Sequence, residues 1–229
     1  MPNLQQQPRR RTRVVILEDH HLFAESLEVA LSIDGYDVRR VGVNDVASAA
    51  AAISAVSRLR PRILLLDLDL GPLGDAVRLI TPMAKEGINV VVVTASDDHA
   101  RWGECVANGA RRVVSKTRPL NEVLSVVRRL SQGLQVQDPQ EREELLKAWR
   151  DQRASQQDVR GRLNSLTPRE RQVLGHLIAG HQVREIARIG VISEATVRTQ
   201  VKSILSKLGV SSQLAAVGLA NSVGWRVDA

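Results

Sequence analysis

From residue 14 to about residue 131 the chain alternates short apolar runs with longer amphipathic stretches. Runs at 14–17, 63–66, 90–93 and 112–115 predict strands, and a weaker one falls at 38–43. Ile63-Leu64-Leu65-Leu66 and the four valines at 90–93 are apolar throughout, the mark of strands buried on both faces. Helical spacing fills the intervals at about 20–32, 46–57, 75–85, 97–108 and 119–130. The first of these buries Phe23, Leu27, Ala30 and Leu31, and the last Leu120, Val123, Leu124, Val127 and Leu130. Turn formers punctuate the units: Asp34-Gly35, Arg60-Pro61, Gly71 to Gly74, Gly87 and Asn108-Gly109. Five strands and five helices in strict alternation predict a doubly wound α/β domain over 14–134, a parallel sheet with helices on both sides.

Residues 135–161 are polar and read as a helical linker to a second, small all-α domain over 162–229. Pro139 can open a helix, and Glu141, Glu143 and Glu144 favour its N-terminus. Leu145, Trp149, Gln152, Gln156, Val159, Leu163 and Leu166 repeat with 4-3-4-3-4-3 spacing, as a coiled-coil seam does. Two of these positions are glutamine, and Gly161 interrupts the run. A linker helix packed on its own domains is therefore favoured over a dimerising helix. Beyond it, Thr167-Pro168-Arg169-Glu170 is a capping box with proline at the first helical position. That helix buries Val173, Leu174, Leu177 and Ile178 and stops at Gly180. A short helix at 183–188, a turn through Gly190 and a helix capped by Ser193 follow. In the last of these Val197, Val201, Ile204, Leu205 and Leu208 share one face, leaving Arg198, Thr199, Lys202 and Ser206 outside. A final helix covers about 213–223. Two helices joined by a short glycine turn, the second with a basic outer face, make a helix-turn-helix.

Charge sharpens this division. The 229 residues carry a formal +7, but residues 14–134 and 135–161 are each close to neutral at −1. The excess sits at the two ends, +4 in residues 1–13 and +5 in residues 162–229. The first reads as a basic disordered tail, the second as the footprint of a polyanionic partner. With Cys105 as the one cysteine, an internal disulfide and a cysteine-based zinc site are both excluded. No apolar run approaches a membrane span, so a cytoplasmic protein that makes no membrane contact is expected.

The polar residues of the first domain fall where open α/β sheets place their ligands, at the carboxyl ends of strands. Glu18-Asp19, Asp67, Thr94 and Lys116 end the first, third, fourth and fifth strands respectively. Singly each has a dull explanation as a helix cap or a solvated charge; jointly they do not. Three clustered carboxylates form a hard oxygen site for Mg²⁺, and a hydroxyl and an ammonium bind the oxygens of a transferred phosphoryl group. This is the equipment for making an aspartyl phosphate.

Val-Val-Ile-Leu-Glu18-Asp19-His20-His21-Leu22-Phe23, Leu-Leu-Leu-Asp67-Leu-Asp69-Leu, Val-Val-Val-Thr94-Ala95-Ser96, Asn108-Gly-Ala and Val-Ser-Lys116 together resemble the receiver domain of bacterial response regulators, a flavodoxin-like fold. The resemblance implies that Asp67 accepts phosphate from a sensor histidine kinase. It also implies that Glu18, Asp19, Asp67 and the backbone carbonyl of Asp69 hold Mg²⁺, and that Thr94 and Lys116 bind phosphoryl oxygens. The pattern departs from the family at Gly71, where proline is frequent, and at Thr117, where the family has proline. It departs also at Val113, where an aromatic residue usually moves with the threonine to report phosphorylation. The stretch from Leu166 through Arg184-Glu185-Ile186-Ala187 and Ser193 to Val210 is similar to a LuxR-type DNA-binding domain, with Gln200 at a position that is commonly histidine. The whole chain therefore resembles a NarL/FixJ-type regulator. By that resemblance Arg198, Thr199 and Lys202 face bases or nearby phosphates, while Arg184 and Lys207 hold the DNA backbone. It implies a transcription factor rather than an enzyme, homodimeric on activation, with RNA polymerase as a further partner.

Three other readings compete. An atypical receiver that leaves DNA binding independent of phosphorylation is motivated by Val113. The Asp67-Leu68-Asp69 strand end is shared with haloacid-dehalogenase-like phosphatases, which want Gly-Thr next, where this chain has Leu70-Gly71. A metal sensor built on His20 and His21 is disfavoured because adjacent helical residues point to different sides.

Overall fold

The computed structural model describes residues 12–226, so the expected tail is outside them except at Thr12 and Arg13. The chain divides into two compact units, one up to Arg150 and one from Asp151. In the first, β1 (Arg13–Leu17), β2 (Asp37–Val41), β3 (Ile63–Asp67), β4 (Asn89–Thr94) and β5 (Arg112–Ser115) form one sheet in the order β2-β1-β3-β4-β5. Every pairing is parallel. This is the flavodoxin-like doubly wound order, with its switch point between β1 and β3. Arg13, expected in the tail, instead opens β1 and pairs with Asp37 at 2.7 Å.

Alternating side chains build two cores. Val14, Ile16, Ile63, Leu65, Val91, Val93 and Val114 pack under α1 (His21–Ile33) and α5 (Leu120–Ser131). Val15, Leu17, Leu64, Leu66, Val90, Val92 and Val113 face α2 (Ala49–Leu59), α3 (Val77–Lys85) and α4 (His99–Ala107). Burial on both faces is the physical meaning of the unbroken apolar runs in β3 and β4. Helices α2, α3 and α4 start later than periodicity predicts, two of them where a side chain caps the first turn. Ser48 Oγ accepts the Ala51 N–H at 3.2 Å before α2, and Asp98 Oδ1 accepts the Ala100 N–H at 2.9 Å before α4. Burial pushes the Cys105 thiol on α4 up to about 12, so it stays protonated and unreactive.

Helix α6 (Pro139–Asn164) is capped by Asp138, whose Oδ1 accepts from the N–H groups of Gln140 and Glu141. It runs unbroken through Gly161, which sequence read as an interruption. Its seam positions serve each unit separately. Leu145 joins the first unit's core, Val159, Leu163 and Leu166 the second's, and Gln152 is exposed.

The second unit packs α7 (Pro168–Ile178), α8 (Val183–Ile189), α9 (Glu194–Leu208) and α10 (Gln213–Ser222) around Leu174, Val197, Ile204, Leu208 and Ala216. The turn between α8 and α9 differs from expectation. Gly190 is right-handed at φ −82°, and the left-handed residue is Val191, at φ +50° and 90% exposed. A β-branched side chain is strained there. Val191→Asn is expected to stabilise this unit by about 1 kcal/mol in chemical denaturation.

Candidate functional site

β1 and β3 flank the switch point and deliver their terminal acids to one place. Among the described residues, one ligand atom each from Glu18, Asp19, His20 and Asp67 lies within 4.8 Å of the others. Glu18 is 8% exposed and Asp67 3%, whereas Asp19 and His20 are exposed. His20 Nδ1 sits 2.8 Å from Asp19 Oδ1 and 3.3 Å from Glu18 Oε1, and His21 turns away towards Glu25 at 3.7 Å. Lys116, just past β5, places Nζ 2.7 Å from both Glu18 Oε1 and Asp67 Oδ2. The same ammonium lies 5.1 Å from the ring centre of Phe23, the chain's one phenylalanine.

Burial, with the Asp67 carboxylate beside it, raises the Glu18 carboxyl although Lys116 pulls the other way. Burial would lower the Lys116 ammonium, but its hydrogen bonds to Asp67 and Glu18 prevail and raise it. Thr94 is 1% exposed at the end of β4, its Oγ1 accepting the Ser96 N–H at 3.1 Å, and its carbonyl accepts the Lys116 N–H at 2.7 Å. The sequence-named acids, Thr94 and Lys116 thus gather at one end of the sheet. The Asp69 carboxylate does not join them. It is directed to Arg101 at 3.2 Å, while the Asp69 N–H points to Asp67 Oδ1 at 3.4 Å.

Sequence reasoning missed the role of α4. Arg101 reaches Asp69 and, at 3.5 Å, Asp75. Trp102 donates its Nε1–H to the Ser96 carbonyl at 2.8 Å and packs on the core cluster that contains Val113. Gly103 lies so close to α6 that a Cβ there would fall 2.0 Å from the Leu145 carbonyl oxygen. A signal existed: with aromatics at only 2% of the chain, a tryptophan eight residues after Thr94 is a rare choice for a helix surface.

In the second unit the capping box is present, with Glu170 Oε2 accepting the Thr167 N–H at 2.7 Å and Thr167 Oγ1 accepting the Glu170 N–H at 3.3 Å. Glu170 also receives Ser203 Oγ at 2.6 Å and Lys207 Nζ at 2.7 Å, so one carboxylate ties α7 to α9. Lys207, expected on the DNA backbone, directs its charge into its own domain. Ser193 caps α9, its Oγ accepting the Thr196 N–H at 3.1 Å. Arg198, Thr199 and Lys202 are exposed on that helix, as is Arg184 on α8. Arg198 is lightly engaged by Glu194 at 3.3 Å, and Thr199 Oγ1 donates to the Ala195 carbonyl at 3.0 Å.

Residues 14–128 match the response regulator receiver domain, and residues 164–220 match the bacterial regulatory proteins of the luxR family. The "Probable transcriptional regulatory protein NarL" of Mycobacterium tuberculosis is 31% identical over 208 residues, covering 90% of this chain and 92% of that one. The response regulator protein VraR of Staphylococcus aureus is 28% identical over 207 residues, covering 90% and 94%. A solved complex of the two-component response regulator RcsB with DNA matches at 24% identity and a TM-score of 0.48, covering 93% of this chain and 99% of that one. Among the described residues, no single helix is long and apolar enough to cross a membrane. An acidic pocket at the carboxyl end of a parallel sheet, followed by a helix-turn-helix and matched by both family models, makes this chain a two-component response regulator with a receiver and a LuxR-type DNA-binding domain.

Proposed function

We propose that this protein is a transcription factor whose affinity for DNA is set by phosphorylation of Asp67 by a partner histidine kinase. The observation that carries the proposal is the bridging ammonium of Lys116, held at 2.7 Å from Asp67 beside two further acids. Three clustered carboxylates, two of them on one ammonium, with oxygen the dominant donor, suit a hard divalent cation better than a solvated cluster. Glu18, Asp19, Asp67 and the carbonyl of Asp69 would hold Mg²⁺. When bound, it neutralises the acids and lets an anionic phosphoryl group approach.

An Asp67 carboxylate oxygen attacks the phosphorus of a phosphohistidine. The new P–O bond forms as the P–N bond breaks, and the leaving imidazole takes a proton from solvent. Lys116 then turns from the carboxylate to a phosphoryl oxygen. Thr94, whose hydroxyl now only accepts from the Ser96 N–H, donates its proton to a second phosphoryl oxygen. That reorientation releases the Ser96 N–H, and the Ser96 carbonyl is the anchor of Trp102. Trp102 stands in here for the aromatic missing at Val113. Its neighbour Gly103 carries the displacement to α6. The result is a population shift towards a homodimer. Its two α9 helices read half-sites about one helical turn apart, with Arg198, Thr199 and Lys202 at the groove and Arg184 on phosphates.

Incubation with a small phosphodonor and Mg²⁺ is expected to add one phosphoryl group to the intact protein and none to Asp67→Asn. Genome-wide footprinting should then show strong occupancy by wild type and weak occupancy by the variant, falling steeply with salt. Equal occupancy of the same sites would sink the switch and leave phosphate-independent DNA binding standing.

A further inference from the structure

The sheet is polarised: acids gather at the carboxyl ends of its strands, and arginines at the other end. Arg13 opens β1, Arg62 precedes β3, and Arg111 and Arg112 lead into β5. Two of these are neutralised locally, Arg13 by Asp37 and Arg112 by Glu141. Arg62 and Arg111 are not, and with Arg142 from the second turn of α6 they line a cleft of about 600 Å³. Among the described residues no carboxylate lines that cleft. Among the described residues the side chains of Arg62 and Arg142 make no ion pair, and Arg111 uses only its Nε, donating to Asn89 Oδ1 at 3.1 Å. Three guanidinium groups around one concavity without a counter-charge repel one another, a state relieved by a bound anion.

The same cleft also carries apolar side chains. Leu134 is 48% exposed there, beside Val136, on the loop that joins α5 to α6. This loop is pinned from outside the cleft, Arg129 donating twice to the Gln135 carbonyl at 2.9 and 2.6 Å. Gln137, also on the wall, is 7% exposed with neither amide atom partnered, an unusual burden for a native interior that a polar group entering the cleft would relieve.

We infer that this cleft, at the end of the sheet remote from Asp67, binds a nucleoside polyphosphate, its phosphates among Arg62, Arg111 and Arg142 and its base against Leu134 and Val136. The volume is within the range of small-molecule sites, and a lining that offers both guanidinium groups and exposed apolar side chains suits a ligand with one charged and one flat apolar end. The occupant touches both the end of α5 and the start of α6, so it would stiffen the turn between them. The inference is independent of the phosphorylation reading.

The test is calorimetric titration of the full chain with ATP and, separately, with tripolyphosphate, in EDTA so that no magnesium complex is offered to the acidic pocket. Saturable one-to-one binding of ATP is expected, with tripolyphosphate weaker by about tenfold because it lacks a base. The pair Arg62→Ala and Arg142→Ala, both at exposed positions that leave the fold intact, should weaken ATP by about tenfold or more. The pair Arg198→Ala and Lys202→Ala should leave it unchanged. The proposal is overturned if ATP gives no saturable binding or if the α9 pair abolishes binding while the cleft pair does not. Equally tight binding of tripolyphosphate would overturn the assignment of a nucleoside.

Discussion

Gly103→Ala is expected to destabilise the first unit by about 3 kcal/mol, the upper end for overpacking. The reason is geometric. An added Cβ would meet the Leu145 carbonyl oxygen at 2.0 Å, its carbon at 2.7 Å and Trp149 Cβ at 2.8 Å. Backbone atoms on one side and a helix on the other cannot step aside as a flexible side chain would. The first three turns of α6 must therefore lift from α4, and amides across residues 143–150 should lose hydrogen-exchange protection. Chemical denaturation gives the stability change, and an unchanged midpoint would contradict the close packing. Function separates from stability in the same variant. Phosphorylation of Asp67, followed by intact mass, should persist, because the acidic pocket is untouched, while the phosphate dependence of DNA binding is lost. Gly161→Ala is the control on the same helix. Nothing lies within 4 Å of its Cβ position, so it should stabilise by about 1 kcal/mol through helix propensity alone.

The second large effect is expected at Glu170. Burial would raise this carboxyl, but hydrogen bonds from Lys207, Ser203 and the Thr167 backbone prevail and hold it down at about 2, against an ordinary 4.5. A folded value below the unfolded one means that the stabilisation is complete above the unfolded value and is lost as pH falls through the folded one. At neutral pH the contribution is about 3 kcal/mol. Thermal melts of the second unit should therefore decline from about pH 5 down to about pH 2. Glu170→Ala should remove a similar amount at pH 7, since it leaves Lys207 and the Thr167 N–H without partners. In Glu170→Gln that acid limb should flatten. If the variant kept the wild-type decline, the titrating group would lie elsewhere.

Much of this molecule was legible because its periodicities are local. Unbroken apolar runs at 63–66 and 90–93 read as strands covered on both faces, and the polar residues that end them, Asp67 and Thr94, then lie at the sheet's carboxyl edge. Thr167-Pro168-Arg169-Glu170 specified a helix start because capping joins residues three apart. Boundaries slipped where a side chain captured the backbone, at Ser48 and Asp98, since such a bond competes with periodicity over only a few residues.

Pairings between distant residues were not legible. Lys207 lies outside the apolar stripe of α9 and reads as a phosphate contact, yet Glu170, 37 positions away, takes its charge. Val113 suggested a receiver without a reporter, because nothing in the pattern of 97–108 shows that Trp102 hangs from the Ser96 carbonyl. Gly161 looked like a break and Gly103 like an ordinary helical residue. The structure reverses them, since the effect of a missing side chain depends on what stands opposite it.

The sequence by itself determined the order of elements, the two-unit architecture, and which residues end each strand, because propensity, capping and periodicity act within a few residues along the chain. Only the tertiary structure decided that Lys116 bridges Glu18 and Asp67, that Phe23 lies beneath its ammonium, and that α4 touches Asp69 and the Ser96 carbonyl on one side and α6 on the other. Those contacts join residues tens of positions apart, and their geometry is set by how whole elements pack, which no local pattern records.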